Sequence, residues 1–227
     1  MKQGTRLDNM CFDYKVQGTH PRSLCKKIYM LEDDKTLFEE YFQLEHQIGV
    51  NVMVNGPWSE LPDQDSFEQA IPLPFKIASE MKGLDQKMLR PLRTLGDAIE
   101  PLADYLNAQS RKIDLMMSYV LRAEDEEQWQ FFTKSYGGGG FIFYSDTAFE
   151  TDTWVTCKLF FEEDAAAVFC YGKLVSCQDV SSEDENKFES TVVFHRIREE
   201  DQEVVVRASL HQQSKLLLKK TKANQSS

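Results

Sequence analysis

Read for its alternation of apolar and polar positions, the chain divides into four stretches. In "DDKTLFEEYFQLEHQ" the apolar residues Leu37, Tyr41, Phe42 and Leu44 form a helical stripe, with Asp33 and Asp34 placed to cap it. "GVNVMVNG" then alternates with the period of a strand and ends in an Asn55-Gly56 turn. The short run "AIPLPFKIAS" reads as an edge strand or the start of one, positions that tolerate its prolines. From Leu84 to Arg122 the period becomes helical. Leu92, Leu95, Ile99, Leu102, Leu106, Gln109, Ile113, Met116 and Val120 alternate spacings of three and four, the a/d seam of about four heptads with Gln109 its one polar member.

Pro91 and Pro101 each remove a helix hydrogen bond and clash with the preceding turn, at about 3 kcal/mol if placed mid-helix, so a break is expected near each. The stretch "PLADYLNAQSRKIDLMMSYVLR" then stands as one helix with Pro101 in its first turn. A seam held in 3.5-residue register is more than a surface helix needs. It predicts assembly between chains, a dimer or tetramer with those nine residues as its interface; packing within the domain is the alternative.

From Gln128 the pattern is that of strands. "QFFTKSY", "FIFYS", "TWVTCKLFF", "AAAVFCYGKLVSC" and "KFESTVVFHRI" are bounded by Gly, Asp, Glu and Ser clusters at the spacing of an antiparallel barrel or sandwich. "REEDQEVVVRASLHQQSKLLLKK" opens with acids and closes with lysines, the order a helix dipole favours, and "TKANQSS" reads as a disordered tail over 221–227.

Composition narrows the function. A net charge of −11 over 227 residues argues against duplex nucleic acid or anionic lipid as the main partner, since both need a basic surface. No apolar run reaches the length of a membrane span and the N-terminus has no hydrophobic core, so the chain reads as cytoplasmic, without membrane insertion. Cys11, Cys25, Cys157, Cys170 and Cys177 contain no CxxC pair and read as buried or inert thiols.

No enzyme template fits. The glycines of Gly137 to Gly140 lack the Lys-Ser/Thr of a phosphate loop and the spacing of a dinucleotide fingerprint. His20, His46, His195 and His211 are scattered without metal-ligand spacing or an activating partner, and "AEDEEQ" and "FFEED" read as solvated loops. The chain reads as non-enzymatic, with no metal and no catalytic set. An enzyme with a site outside these templates is the reading from another class.

Four consecutive glycines between aromatic runs, in "FFTKSYGGGGFIFYSD", mean a tight turn, a close approach to main chain, or slack. The order of strand, Gly-rich turn, strand, further strands and C-terminal helix resembles the PilZ domain, a small bacterial β-barrel. That family's turn motif is [DN]-x-S-x-x-G, and this chain has Thr133-Lys-Ser135-Tyr-Gly-Gly138. With the heptad helices in front, the likeness extends to an atypical oligomerising, often tetrameric, subgroup.

The resemblance implies an α+β fold: a PilZ-like antiparallel barrel over 71–220 with oligomerisation helices inserted at about 84–122, "IPLPFKI" as first barrel strand, and a separate segment of unassigned fold over 1–70. It also implies cyclic di-GMP signalling or motility as the setting, with a regulatory or adaptor role toward a signalling protein. PilZ domains bind that nucleotide with an upstream R-x-x-x-R motif, because planar guanidinium forks stack on guanine and clamp phosphate. No such motif is present. Arg22 with Lys26 is the nearest imitation, and Thr133 replaces the guanine-pairing Asp or Asn. Ser135 and Gly138 match but also serve a turn, Gly138 being expected to hold a positive φ. The reading is therefore no cofactor and no cyclic di-GMP at the consensus site; a receptor using Arg22, Lys26 and Lys27 at a non-consensus site is the runner-up.

Overall fold

The computed structural model describes residues 32–54, 61–92, 100–182 and 187–225. In chain order the elements are α1 (Glu32–Glu39), β1 (Leu44–Glu45), β2 (Gly49–Val54), α2 (Gln64–Ala70), α3 (Leu73–Leu92), α4 (Glu100–Arg122), β3 (Gln130–Gly137), β4 (Gly140–Ser145), β5 (Thr153–Phe161), β6 (Ala166–Asp179), β7 (Phe188–Arg196) and α5 (Glu199–Gln225). Six antiparallel strands run in the order β3-β2-β5-β6-β7-β4, and β4 pairs back onto β3 to close a barrel. The fold is α+β, as expected.

Alternation along the strands separates two cores. On β6, Ala166, Val168 and Cys170 point into the barrel among Val50, Val52, Phe141, Phe143, Leu159 and Val192. The intervening Ala167, Phe169 and Tyr171 point outward and pack with Phe67, Ile71, Phe75, Ala78 and Leu121 of the helices. Both faces of β6 are thus buried, which is why its sequence is nearly all apolar. Phe75 is fully buried and stacks edge-on with Phe160 at 6.0 Å. The buried Cys157, Cys170 and Cys177 are free thiols, and burial holds the Cys170 thiol well above its usual pKa.

Two expectations are corrected. "IPLPFKI" is the start of α3, not a barrel strand. Pro72 O accepts from Phe75 N at 3.0 Å and Lys76 N at 3.3 Å, and Pro74 sits in the first turn, where a missing N–H costs nothing. The barrel instead takes β2 from within the N-terminal segment, paired to β3 and β5. At the other end, "TKANQ" belongs to α5, which runs to Gln225.

The acidic "AEDEEQ" run is also not simply solvated. Lys158, only 6% exposed, meets Glu126 Oε1 at 2.8 Å, while Asn51 donates to Asp125 Oδ1 at 2.7 Å. A buried ammonium needs such partners, and these contacts tie the end of α4 to the barrel wall.

Candidate functional site

The turn that resembles the nucleotide motif lies at the β3–β4 hairpin. Thr133 pairs with the inward Phe143 and Ser135 with Ile142, with a bulge between them. Residues two apart in a regular strand share a face; the extra residue here turns Thr133 into the barrel and Ser135 away from it. Thr133 is fully buried and fills the gap between β1 and β2 on the neighbouring edge. Its Oγ1 accepts from Ile48 N at 3.0 Å and donates to His46 O at 2.8 Å. Both hydroxyl functions are spent on the fold. Ser135, 5% exposed, lies opposite Glu45 of β1.

The glycines form a flat main-chain platform covered by the protein itself. A Cβ built at Gly137 would fall on Phe42 O, at Gly138 on the Tyr41 ring, at Gly139 on Leu37 O, and at Gly140 on Val192 O. Close approach of α1 and the segment after it therefore explains the run, with the two-residue turn at Gly138-Gly139 and a φ of 157° at Gly140 where β4 begins. The expected positive φ at Gly138 is not found. The platform is also bound from the other side, since Gln202 Nε2 donates to Gly138 O and Phe194 N to Gly139 O, each at 2.9 Å.

Asp34 anchors α1 in this place. Its sequence position suits a cap, yet it is 4% exposed, with Oδ1 2.9 Å from His195 Nε2 on β7 and Oδ2 3.7 Å from Lys173 Nζ on β6. Lys173 also pairs with Asp152 at 2.5 Å, and the His195 ring stands edge-on to Trp154 at 5.1 Å. Burial lowers the His195 pKa, outweighing the upward pull of the Asp34 carboxylate. Sequence reasoning passed over Lys173 and the Asp34–His195 pairing because their spacing in the chain carries no signal.

On α4 the predicted seam divides. The flank against the barrel is Met117 and Leu121, while Leu102, Ile113, Met116 and Val120 of the seam are 51%, 40%, 63% and 41% exposed, joined by Tyr105 and Tyr119. Leu106 and Gln109 are half-buried. Leu92 closes α3, and Leu95 and Ile99 lie outside the described residues, as do Arg22, Lys26, Lys27 and His20.

Elsewhere a groove of about 420 Å³ runs between α3 and α5 over Ala166, Val204, Ala208 and Leu210. Its polar members are engaged locally: Lys82 with Asp114 at 2.6 Å, His211 with Asp164 at 3.5 Å, and Ser214 Oγ with Leu210 O at 2.9 Å. Among the described residues no three His, Cys, Asp or Glu side chains are grouped to hold a metal ion, and no helix is long and apolar enough to cross a membrane.

No protein-family model matches the sequence, and no curated protein matches it. Among solved structures it is similar to a pathogenic protein of Xanthomonas campestris described as a tetrameric PilZ domain self-assembled via an unusual helical bundle. The two are 12% identical with a TM-score of 0.49, over 83% of this chain and 98% of that one. It is also similar to the inhibitor of motility MotI/DgrA of Bacillus subtilis, at 11% identity and TM-score 0.34, over 38% of this chain and 42% of that one. A third likeness is to MrkH of K. pneumonia in its apo state, at 14% and 0.34, over 42% and 43%.

Proposed function

We propose that this chain is a non-enzymatic regulatory or adaptor module on a PilZ-like barrel, which self-assembles through α4 and does not take cyclic di-GMP at the consensus turn. One observation carries the last part. The main chain of Gly137 to Gly139, where a ligand would rest, is covered by Leu37, Tyr41 and Phe42 of the same chain. Thr133, in the place of the guanine-reading Asp or Asn, is turned inward and committed to His46 and Ile48. A dianionic ligand would have to displace α1, in a chain that has no R-x-x-x-R motif and a net charge of −11.

Self-assembly is argued from α4's own surface. Leu102, Tyr105, Ile113, Met116, Tyr119 and Val120, exposed along a 23-residue helix, present more apolar surface than a monomer ordinarily keeps. The setting that goes with this reading is bacterial second-messenger or motility signalling, the module acting on a protein partner in the cytoplasm. Isothermal calorimetry of the full chain with cyclic di-GMP at moderate salt tests it. No sub-micromolar binding is expected; tight binding that survives Thr133→Val but is lost on Arg22→Ala would replace this reading with a non-consensus receptor.

A further inference from the structure

The charge of the chain is unevenly placed. No Asp or Glu follows Glu203, while Arg207, Lys215, Lys219, Lys220 and Lys222 do, in a protein whose net charge is −11. Among the described residues the last buried one of α5 is Gln212, and the last tie of the helix to the barrel is Lys215 to Glu163 at 2.6 Å. Beyond it the helix continues to Gln225 with Leu216, Leu217 and Leu218 exposed at 38%, 58% and 63%. Three large apolar side chains in a row on the last turns of a lysine-bearing helix have no counterpart among the described residues.

We propose that the last turns of α5, Leu216 to Lys222, are a reversible docking element for an anionic lipid surface. Lysines supply attraction to anionic headgroups, and leucines supply the apolar area that sinks to the acyl boundary. A partner helix or groove is the poorer fit. Consecutive residues point about 100° apart at 3.6 residues per turn, so the three leucines spread around more than half of the helix instead of forming one stripe. The acidic body does not forbid the contact. From Leu216 to Lys222 the helix runs about 9 Å at its ordinary rise, comparable with the roughly 8 Å over which charge is felt at physiological salt, so the body's acidity is largely screened at the outer lysines. This is adsorption of an end, not insertion of a span.

Co-sedimentation of the full chain with phosphatidylcholine vesicles, and with phosphatidylcholine vesicles containing phosphatidylglycerol, tests this. Binding is expected only to the anionic vesicles, weakening at least about fivefold from low to physiological salt. The double variant Leu217→Glu/Leu218→Glu should lose it, and Lys219→Glu/Lys220→Glu should weaken it by about tenfold or more; Leu217, Leu218 and Lys219 are exposed, so melting should be unchanged. Equal binding to both vesicles, no binding to either, or retained binding by the leucine variant overturns the proposal. So does polyglutamate binding as tight as vesicle binding, which would mark an acidic protein as the partner. A fall in light-scattering mass in the leucine variant would place a second copy on the leucines and overturn it as well.

Discussion

Oδ1 of Asp34 stands 2.9 Å from Nε2 of His195, and Oδ2 of the same carboxylate 3.7 Å from Nζ of Lys173. One buried side chain thus joins an eight-residue helix to two adjacent barrel strands. A helix that short is not stable alone, so α1 depends on what holds it. Asp34→Ala should cost about 1–3 kcal/mol, the range for leaving buried polar groups without their partner. Hydrogen exchange should accelerate at Gly137 to Gly140 and through Leu37 to Phe42, with barrel-interior amides such as that of Val168 little changed. Unchanged exchange would mean that packing on the glycines alone holds the helix.

The same pair sets a pH dependence. Burial first, and then Lys173, hold the pKa of His195 below its usual 6.5 despite Asp34. The unfolded imidazole therefore takes up a proton at a higher pH than the folded one, and the unfolded state gains on acidification. His195 contributes no pH dependence well above 6.5. Its share of stability declines as pH falls through 6.5 toward the lowered folded value. Melts of the native protein and of His195→Gln between about pH 8 and pH 5 should show a decline in Tm below about pH 6.5 that is smaller in the variant. Parallel curves would remove His195 as the source.

Much of this fold was legible because its signals are local. Strands β3 to β7 announce themselves by alternation and by flanking turn residues, and α4 and α5 by period and end charges. "IPLPFKI" misled because a proline-bearing apolar run suits a strand edge and a helix start equally; the tertiary contacts of Phe75 and Ala78 decided for the helix. The faces of the motif residues were not legible for a similar reason. Thr133 and Ser135 are two apart in sequence, and only the bulge, absent from any pattern, sends them to opposite faces. The covering of the glycines by α1 joins residues about a hundred positions apart, a relation that no local window contains.

The two flanks of α4 should respond differently to charge. Leu121 is 4% exposed and packs in the outer core, so Leu121→Asp should unfold or strongly destabilise the chain, a buried unpaired carboxylate costing several kcal/mol. Ile113→Asp and Met116→Asp lie on the exposed row and should leave the melt nearly unchanged while lowering the mass seen by light scattering. A native protein that is monomeric at high concentration would show that the row is not an interface between copies.

The glycines give the sharpest test of the close-approach reading. If the run served only a hairpin turn, alanine would be harmful at the turn glycine and mild elsewhere. In the structure all four sites are closed to a Cβ, but what closes them differs. Gly137 and Gly139 face main-chain oxygens, Phe42 O and Leu37 O, which can yield only if the segment lifts; Gly140 faces Val192 O on the paired strand. Gly138 faces the side chains of Tyr41 and Val206, and side chains can rotate. Alanine at Gly137, Gly139 or Gly140 should therefore cost about 1–3 kcal/mol or more, the range for overpacking, and Gly138→Ala should be the mildest of the four. The readouts separate the causes. Gly137→Ala and Gly139→Ala should raise protease sensitivity through Leu37 to Phe42, because α1 is pushed off, whereas Gly140→Ala should weaken the β4–β7 pairing, where it lies opposite Val193. An alanine scan with thermal melts and limited proteolysis checks the order, and a Gly139→Ala protein that melts unchanged with α1 still protected would show that main-chain contact with α1 is not why these glycines are there.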